Sequence, residues 1–263
     1  MVRVALGLEY DGSRFCGWQT QPNACAVQDA LEAALSEIAC EPIATASAGR
    51  TDTGVHALAQ VVHFDTLALR PESAWVRGVN ALLPSSVSVR WAREVAPEFH
   101  ARFAAQARRY RYVLLNRPVR PGLAAGRVGW FHAPLNLEAM QCAANQLLGE
   151  HDFSAFRAAE CQAKTPVRTL TELNIRRVND LLLFDLRANA FLHHMVRNII
   201  GGLVYVGKGK HTAEWLGEIL AGRDRKLAAP TFAPDGLYLS GVEYEARWGI
   251  PTANEVMVEE LLS

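Results

Sequence analysis

Chemistry is first suggested between residues 49 and 56, where the chain reads Gly49-Arg50-Thr51-Asp52-Thr53-Gly54-Val55-His56. Two glycines among short polar side chains mark a tight loop. An aspartate in such a loop can simply accept hydrogen bonds from its own backbone. It can equally be a carboxylate held beside a cation such as Arg50, so that it stays ionised and nucleophilic at neutral pH. Both readings of Asp52 stand on these residues alone. Asp52-Thr53-Gly54 also spells the aspartic-protease tripeptide, but that chemistry needs two carboxylates sharing one proton. The sequence has no second Asp-Thr-Gly or Asp-Ser-Gly, and Arg50 would favour the charged form over sharing.

A second constellation is basic and aromatic. From Phe99 to Leu137 there is no Asp or Glu, while Arg102, Arg108, Arg109, Arg111, Arg117, Arg120 and Arg127 all occur. Guanidinium forks match phosphate geometry, so the stretch reads as a local anion-binding surface, against the plainer reading of a solvated face. Tyr110 and Tyr112 lie among these arginines, a combination that holds single-stranded or flipped bases. The plainer alternative is a pair of core tyrosines.

Further along, Asn189, His193, Arg197 and Gly201 recur every four residues, with Leu192, Met195, Ile199 and Leu203 on the other side. That pattern expects a helix whose polar line faces solvent or a cleft, where Arg197 would pair with a carboxylate such as Asp52. His193-His194 is no helical metal pair, because adjacent helical residues point about 100° apart. Gly202 to Lys208 has the spacing of a phosphate-binding loop, yet Gly209 stands where Ser or Thr belongs and bulky apolar residues fill the middle. It reads as a helix end with Gly207 as the cap.

The elements that must position these groups follow from periodicity. Val2, Val4, Leu6, Leu8 and Tyr10 alternate as a half-buried strand ending at Asp11-Gly12. Val27, Leu31, Leu35 and Ile38 put a helix over residues 26–39. A strand at 60–64, a helix from near Pro71 to Pro84 and a strand at 87–91 complete a β-α-β-α-β run. The pattern then largely repeats: a strand at 108–115, a helix at 136–148, strands at 169–177 and 181–187, a long helix at 190–206, a short helix, and a closing strand at 237–244 with a polar tail from Pro251. The organisation is α+β, with antiparallel or mixed sheets and helices on one face. It divides into halves 1–104 and 105–263, the first carrying the Asp52 loop, the second Tyr110 and Arg197.

With 263 residues and 50% hydrophobic content the chain can build a substantial core. Its 27 basic and 27 acidic residues balance, which argues against indiscriminate polyanion binding. The apolar runs fall far short of the roughly 20 residues that span a bilayer, and no targeting segment opens the chain. Five scattered cysteines fit reduced thiols in a cytoplasm and contain no zinc-site pair.

Six segments in order carry a resemblance: Leu6 to Gly12 with Gly17-Trp18-Gln19, Ala48 to His56, Phe99 to Phe103, Ala107 to Tyr112, Ala188 to Asn198, and Gly236 to Leu239. Together they resemble the tRNA pseudouridine synthase A family over nearly the whole chain. The departure is Thr53, where the family more often has alanine. The resemblance implies the pseudouridine synthase fold, two RRM-like or ferredoxin-like α+β halves forming a mixed, mainly antiparallel sheet with an active-site cleft between them. It implies that Asp52 is the nucleophile, that Tyr110 stacks on the target uracil, that Arg197 pairs with Asp52, and that Arg50 fills the space of the flipped base. It also implies a homodimer acting on tRNA at uridines 38 to 40 of the anticodon stem-loop, without metal or cofactor. Isomerising uridine takes no redox step, phosphoryl transfer or metal-bound water, in keeping with the absence of those motifs. The competing class is a noncatalytic tRNA-binding protein, which replacement of the nucleophile would signal.

Overall fold

The structure is a computed structural model that describes residues 1–252; the last part of the polar tail lies outside them. In chain order the elements are β1 (Val2–Tyr10), α1 (Val27–Ala39), β2 (Ala46–Ser47), β3 (His56–Thr66), α2 (Val79–Leu82), β4 (Val87–Val95), β5 (Ala105–Asn116), β6 (Gly129–Phe131), α3 (Leu137–Asn145), β7 (Gly149–Asp152), β8 (Val167–Val178), β9 (Leu181–Ala188), α4 (Met195–Gly207), α5 (Trp215–Gly222) and β10 (Leu237–Tyr244). They form two compact units, Met1–Gln106 with the chain from Tyr238 onward, and Ala107–Leu237.

In the first unit β1 lies antiparallel between β3 and β4, β2 adds to β3, and β10 pairs with β3 in parallel through Tyr238 and Leu239. The sheet is therefore mixed and mainly antiparallel. On α1, Val27, Leu31, Ala34 and Leu35 are buried, the stripe expected of a helix laid on a sheet. The Asp29 carboxylate accepts from Ala26 N at 2.9 Å at its start, and Cys40 closes it in a left-handed conformation, φ 58°. Between Pro71 and Pro84 the expected helix is one π-helical stretch, Ala74–Gly78, running into the single turn of α2. The Trp75 ring in this stretch meets Phe64 of β3 edge-on at 5.1 Å. Strand β1 is buried continuously from Val4 to Leu8 rather than on one face, with the Trp91 indole lying directly over Gly7.

The segment after β4 covers β3. Ala101 N donates to His63 Nδ1 at 3.2 Å, the His63 and His100 rings are 4.6 Å apart, and the Tyr244 hydroxyl donates to Ala101 O at 2.6 Å. Burial pulls the His63 pKa down to about 4, helped by the His100 and Arg3 charges. Burial lowers His100 as well.

In the second unit β9 lies between β5 and β8, β7 extends the sheet on β8, and β6 joins β5 in parallel. Helix α4 is buried on almost every side. It begins at Met195, not near Ala190, because His194 takes a left-handed conformation, φ 61°, that no helix can run through. Asn189 and His193 therefore lie before the helix, and the four-residue stripe keeps only Arg197 and Gly201 on it. The Asn189 side chain instead accepts from Thr169 N and Ala190 N. The glycines of the phosphate-loop look-alike are packing positions: a Cβ at Gly202 would meet Leu216 and one at Gly207 would meet Met140. Gly207 is the last helical residue; Lys208 caps the end and Gly209 takes the positive φ.

The cysteines depart from expectation. Cys16 and Cys25 are joined by a disulfide, with Cα atoms 5.4 Å apart, while Cys40, Cys142 and Cys161 remain thiols. The loop after β1 folds back so that Cys16 N donates to Cys25 O at 3.0 Å, which brings together two residues nine apart in sequence.

Because the folded pKa of His63 lies below its ordinary 6.5, the neutral ring contributes stability that is full above about pH 6.5 and is lost as pH falls toward about 4. Chemical denaturation across that range should show stability falling on acidification, with a shallower fall in His63→Gln.

Candidate active site

The Gly49–His56 loop connects β2 to β3, and its main chain is held from below by side chains of the flanking strands. Gln60, on β3 and fully buried, donates from Nε2 to Gly49 O at 2.6 Å and lies 3.5 Å from the Tyr10 hydroxyl. That hydroxyl shares a 2.8 Å hydrogen bond with the Thr51 hydroxyl, and both residues are buried. Burial pushes the Tyr10 phenol up to about 12, so it is a neutral hydrogen-bonding group at any working pH. Tyr10 reaches Thr51 because the β1–β3 register shifts: Leu8 faces Gln60 but Tyr10 faces Ala57, two steps along one strand against three along the other. Such irregularities re-aim side chains beside functional sites.

From the other side the β1–α1 loop leans on the same main chain. Trp18 N donates to Thr51 O at 2.9 Å, and Gly17, φ 96°, is so close that a Cβ there would lie 2.8 Å from Thr51 O. Asp52 O accepts from Val55 N at 3.0 Å, closing the turn. His56 ends the loop buried, its Nδ1 accepting from Gly12 N at 3.1 Å and lying 3.3 Å from Asp11, with its ring stacked on Tyr238 at 4.6 Å. The outcome is a half-buried Asp52 and an exposed Arg50 on a backbone fixed at Gly49, Thr51 and Val55.

In the second unit Tyr110 lies on β5 at the margin of the core, and Phe191 meets its ring edge-on at 5.0 Å. Tyr112 is core: fully buried, with its hydroxyl donating to Ala233 O at 2.9 Å and its ring against Phe184 and Phe232. Arg197, in the first turn of α4, donates from Nε to Phe232 O at 2.8 Å, and Phe232 N donates back to Arg197 O at 3.2 Å. The next residue, Asn198, is buried and donates to Phe156 O while accepting from Arg225 and Thr231, which anchors that turn. The acid-free arginine run meets carboxylates from neighbouring strands: Arg111 pairs with Asp185 at 2.6 Å and Arg109 lies 3.8 Å from Glu172. The expected anion-binding surface is thus partly neutralised across the sheet.

Arg50 and Asp52 accordingly share one loop of the first unit, and Tyr110 and Arg197 belong to the second. The supports carry little chemical signal in the sequence: Tyr10 reads as the end of a strand, Gln60 as the start of one, and Phe191 as a helix residue. The single signal was a polar side chain opening an apolar run at Gln60-Val61-Val62.

Replacing Tyr10 by Phe leaves the Thr51 hydroxyl buried without its partner and should cost about 1 to 3 kcal/mol of stability. Urea denaturation of the two proteins measures the difference.

Comparison with known proteins agrees over almost the full length. The family model described as tRNA pseudouridine synthase matches residues 8–104 and 143–245. The tRNA pseudouridine synthase A of Dechloromonas aromatica is 59% identical over 261 residues, covering 99% of this chain and 100% of that protein. That of Thiobacillus denitrificans is 62% identical, covering 97% of this chain and 98% of its own. A chain of the solved structure titled "Crystal Structure of a Cbf5-Nop10-Gar1 Complex" aligns over 90% of this chain and 48% of its own, at 11% identity and a TM-score of 0.40. On the strength of the family model and the curated relatives, the chain belongs to the tRNA pseudouridine synthase family.

Proposed function

We propose that the protein isomerises uridine to pseudouridine in tRNA, with Asp52 as the nucleophile. The observation that carries the role of Asp52 is its place on a loop held before it by Gln60 at Gly49 O, by Trp18 N at Thr51 O and by Tyr10 at the Thr51 hydroxyl, and closed after it by Val55 N on Asp52 O, within a segment matched by the family model. The reaction breaks the bond from C1′ to N1, rotates the freed uracil and joins C5 to C1′. The carboxylate begins it by attack at C6 or at C1′, or by removing the 2′ proton; each route needs an ionised group held still against the nucleoside.

The remaining roles complete the proposal. Tyr110 stacks on the target uracil, an amphipathic ring at the margin of a core being suited to a planar base. Arg197 supplies the counter-charge of Asp52. Arg50 occupies the space vacated by the extruded base, and with Tyr110 it offsets an extrusion cost of a few kcal/mol. The resemblance extends the reading to uridines 38 to 40 of the anticodon stem-loop, a cytoplasmic location and a homodimer in which each tRNA touches both subunits. Among the described residues no helix is long and apolar enough to cross a membrane.

The test is release of tritium from tRNA labelled at uracil C5, in buffer without added metal or cofactor. Wild type should release it, and Asp52→Asn should release none while binding tRNA within a few-fold of wild type, because phosphate contacts dominate affinity. Full turnover by Asp52→Asn would refute the nucleophile assignment. Arg197→Ala should lower kcat by about 100-fold by leaving Asp52 unoriented. Thermal melting of the same variant separates that loss from loss of the Phe232 contact.

A further inference from the structure

The Cys16–Cys25 bridge sits one residue from the peptide that holds the candidate nucleophile. Cys16 precedes Gly17, whose backbone packs on the Thr51, Asp52 and Thr53 peptides: a Cβ there would lie 3.1 Å from both Asp52 C and Thr53 N. Trp18 N donates to Thr51 O at 2.9 Å. On the other side of the bridge Cys25 leads into α1, where Val27 N donates to Gly17 O and Gln28 N to Trp18 O, each at 3.1 Å. The sulfurs thus close a ring of chain whose inner edge is the support of the Asp52 loop. Without the bond, the outer end of that ring is held by Cys16 N to Cys25 O at 3.0 Å and by Gln21 Nε2 to Cys16 O at 2.8 Å, the latter solvent-exposed. Both cysteines are partly exposed, within reach of a small reagent.

We propose that Cys16 and Cys25 form a reversible thiol–disulfide site that sets how firmly the Asp52 loop is held, with a low-molecular-weight disulfide as its oxidant. The proposal rests on the reading of Asp52 as the nucleophile. In the oxidising direction one cysteine thiolate attacks a sulfur of the small disulfide and expels one thiol. The second cysteine thiolate then attacks the protein sulfur of the mixed disulfide and expels the other. Two electrons pass from the protein thiols to the small disulfide, and the two cysteine protons end on the released thiols. In a reducing compartment a bridge of this kind is characteristically transient and redox-sensing rather than permanent.

The experiment sets the wild-type protein with glutathione disulfide or with dithiothreitol and verifies each state by alkylation and mass. Turnover on labelled tRNA and hydrogen exchange at the Trp18 and Val55 amides are then measured, with a Cys16→Ser/Cys25→Ser variant alongside. The oxidised protein should show kcat about fivefold higher with KM for tRNA unchanged, since small displacements of a reacting group cost rate rather than binding. The two amides should exchange faster on reduction, and the variant should sit at the reduced rate and ignore both reagents. Equal exchange in the two states overturns the proposal, as does exchange that changes while a measurable turnover stays the same. A variant that responds like wild type overturns it by assigning the effect to Cys40, Cys142 or Cys161. Redox-dependent exchange with no turnover in either state supports the coupling and defeats the pseudouridine reading instead.

Discussion

The Thr51 hydroxyl is buried and the Gly49 carbonyl partly so, and polar groups taken out of water must be partnered. That constraint organises the first unit. Their partners are a tyrosine from the end of β1 and a glutamine from β3, so the conformation of the Asp52 loop is tied to the pairing of two strands. Slipping that pairing by one residue would turn one of the two partners to the opposite face from the other and leave the loop hydroxyl or carbonyl without it. The Asp52 loop and the sheet are in this sense one object: the strands that bury Val4, Leu6 and Phe64 also set where the loop lies.

The second unit solves a similar problem with a helix. Arg197 carries a charged head in the first turn of an element that is apolar nearly all round, and that turn is tied down by a hydrogen-bonded network. Asn198 is bonded to Phe156, Arg225 and Thr231, and Arg197 itself exchanges hydrogen bonds with Phe232. Farther along, side-chain-free positions at Gly202 and Gly207 let Leu216 and Met140 close on the helix. What resembles a phosphate loop in one dimension is a close-packing surface in three.

Strong periodicity was legible. The alternation of Val2 to Tyr10, the stripe Val27, Leu31, Leu35, and the pair of strands around the Asn179-Asp180 turn appear where the residues place them, because each buries an apolar face large enough to outweigh local alternatives. Strands β2, β6 and β7, of two to four residues, were not legible; they exist by pairing with longer strands and are too short to carry a period. The start of α4 is not legible because Ala190 to His194 continue the helical spacing, while in the fold His193 is held by Cys161 Sγ and Ala158 N and His194 takes a left-handed backbone.

What the sequence determined by itself was chemical: which residues have the types for a nucleophile, a stacking ring and a counter-ion, and which segments alternate with period 2 or 3.6. Those properties belong to single side chains and near neighbours, so they survive in one dimension. Only the tertiary structure decided which groups hold them. That Tyr10 and Gln60 sit beneath Thr51, that Asp185 neutralises Arg111, and that Cys16 meets Cys25 all depend on contacts between residues distant in sequence or on a loop that doubles back. No local pattern encodes such pairings, because they are fixed by burial and strand register rather than by spacing along the chain.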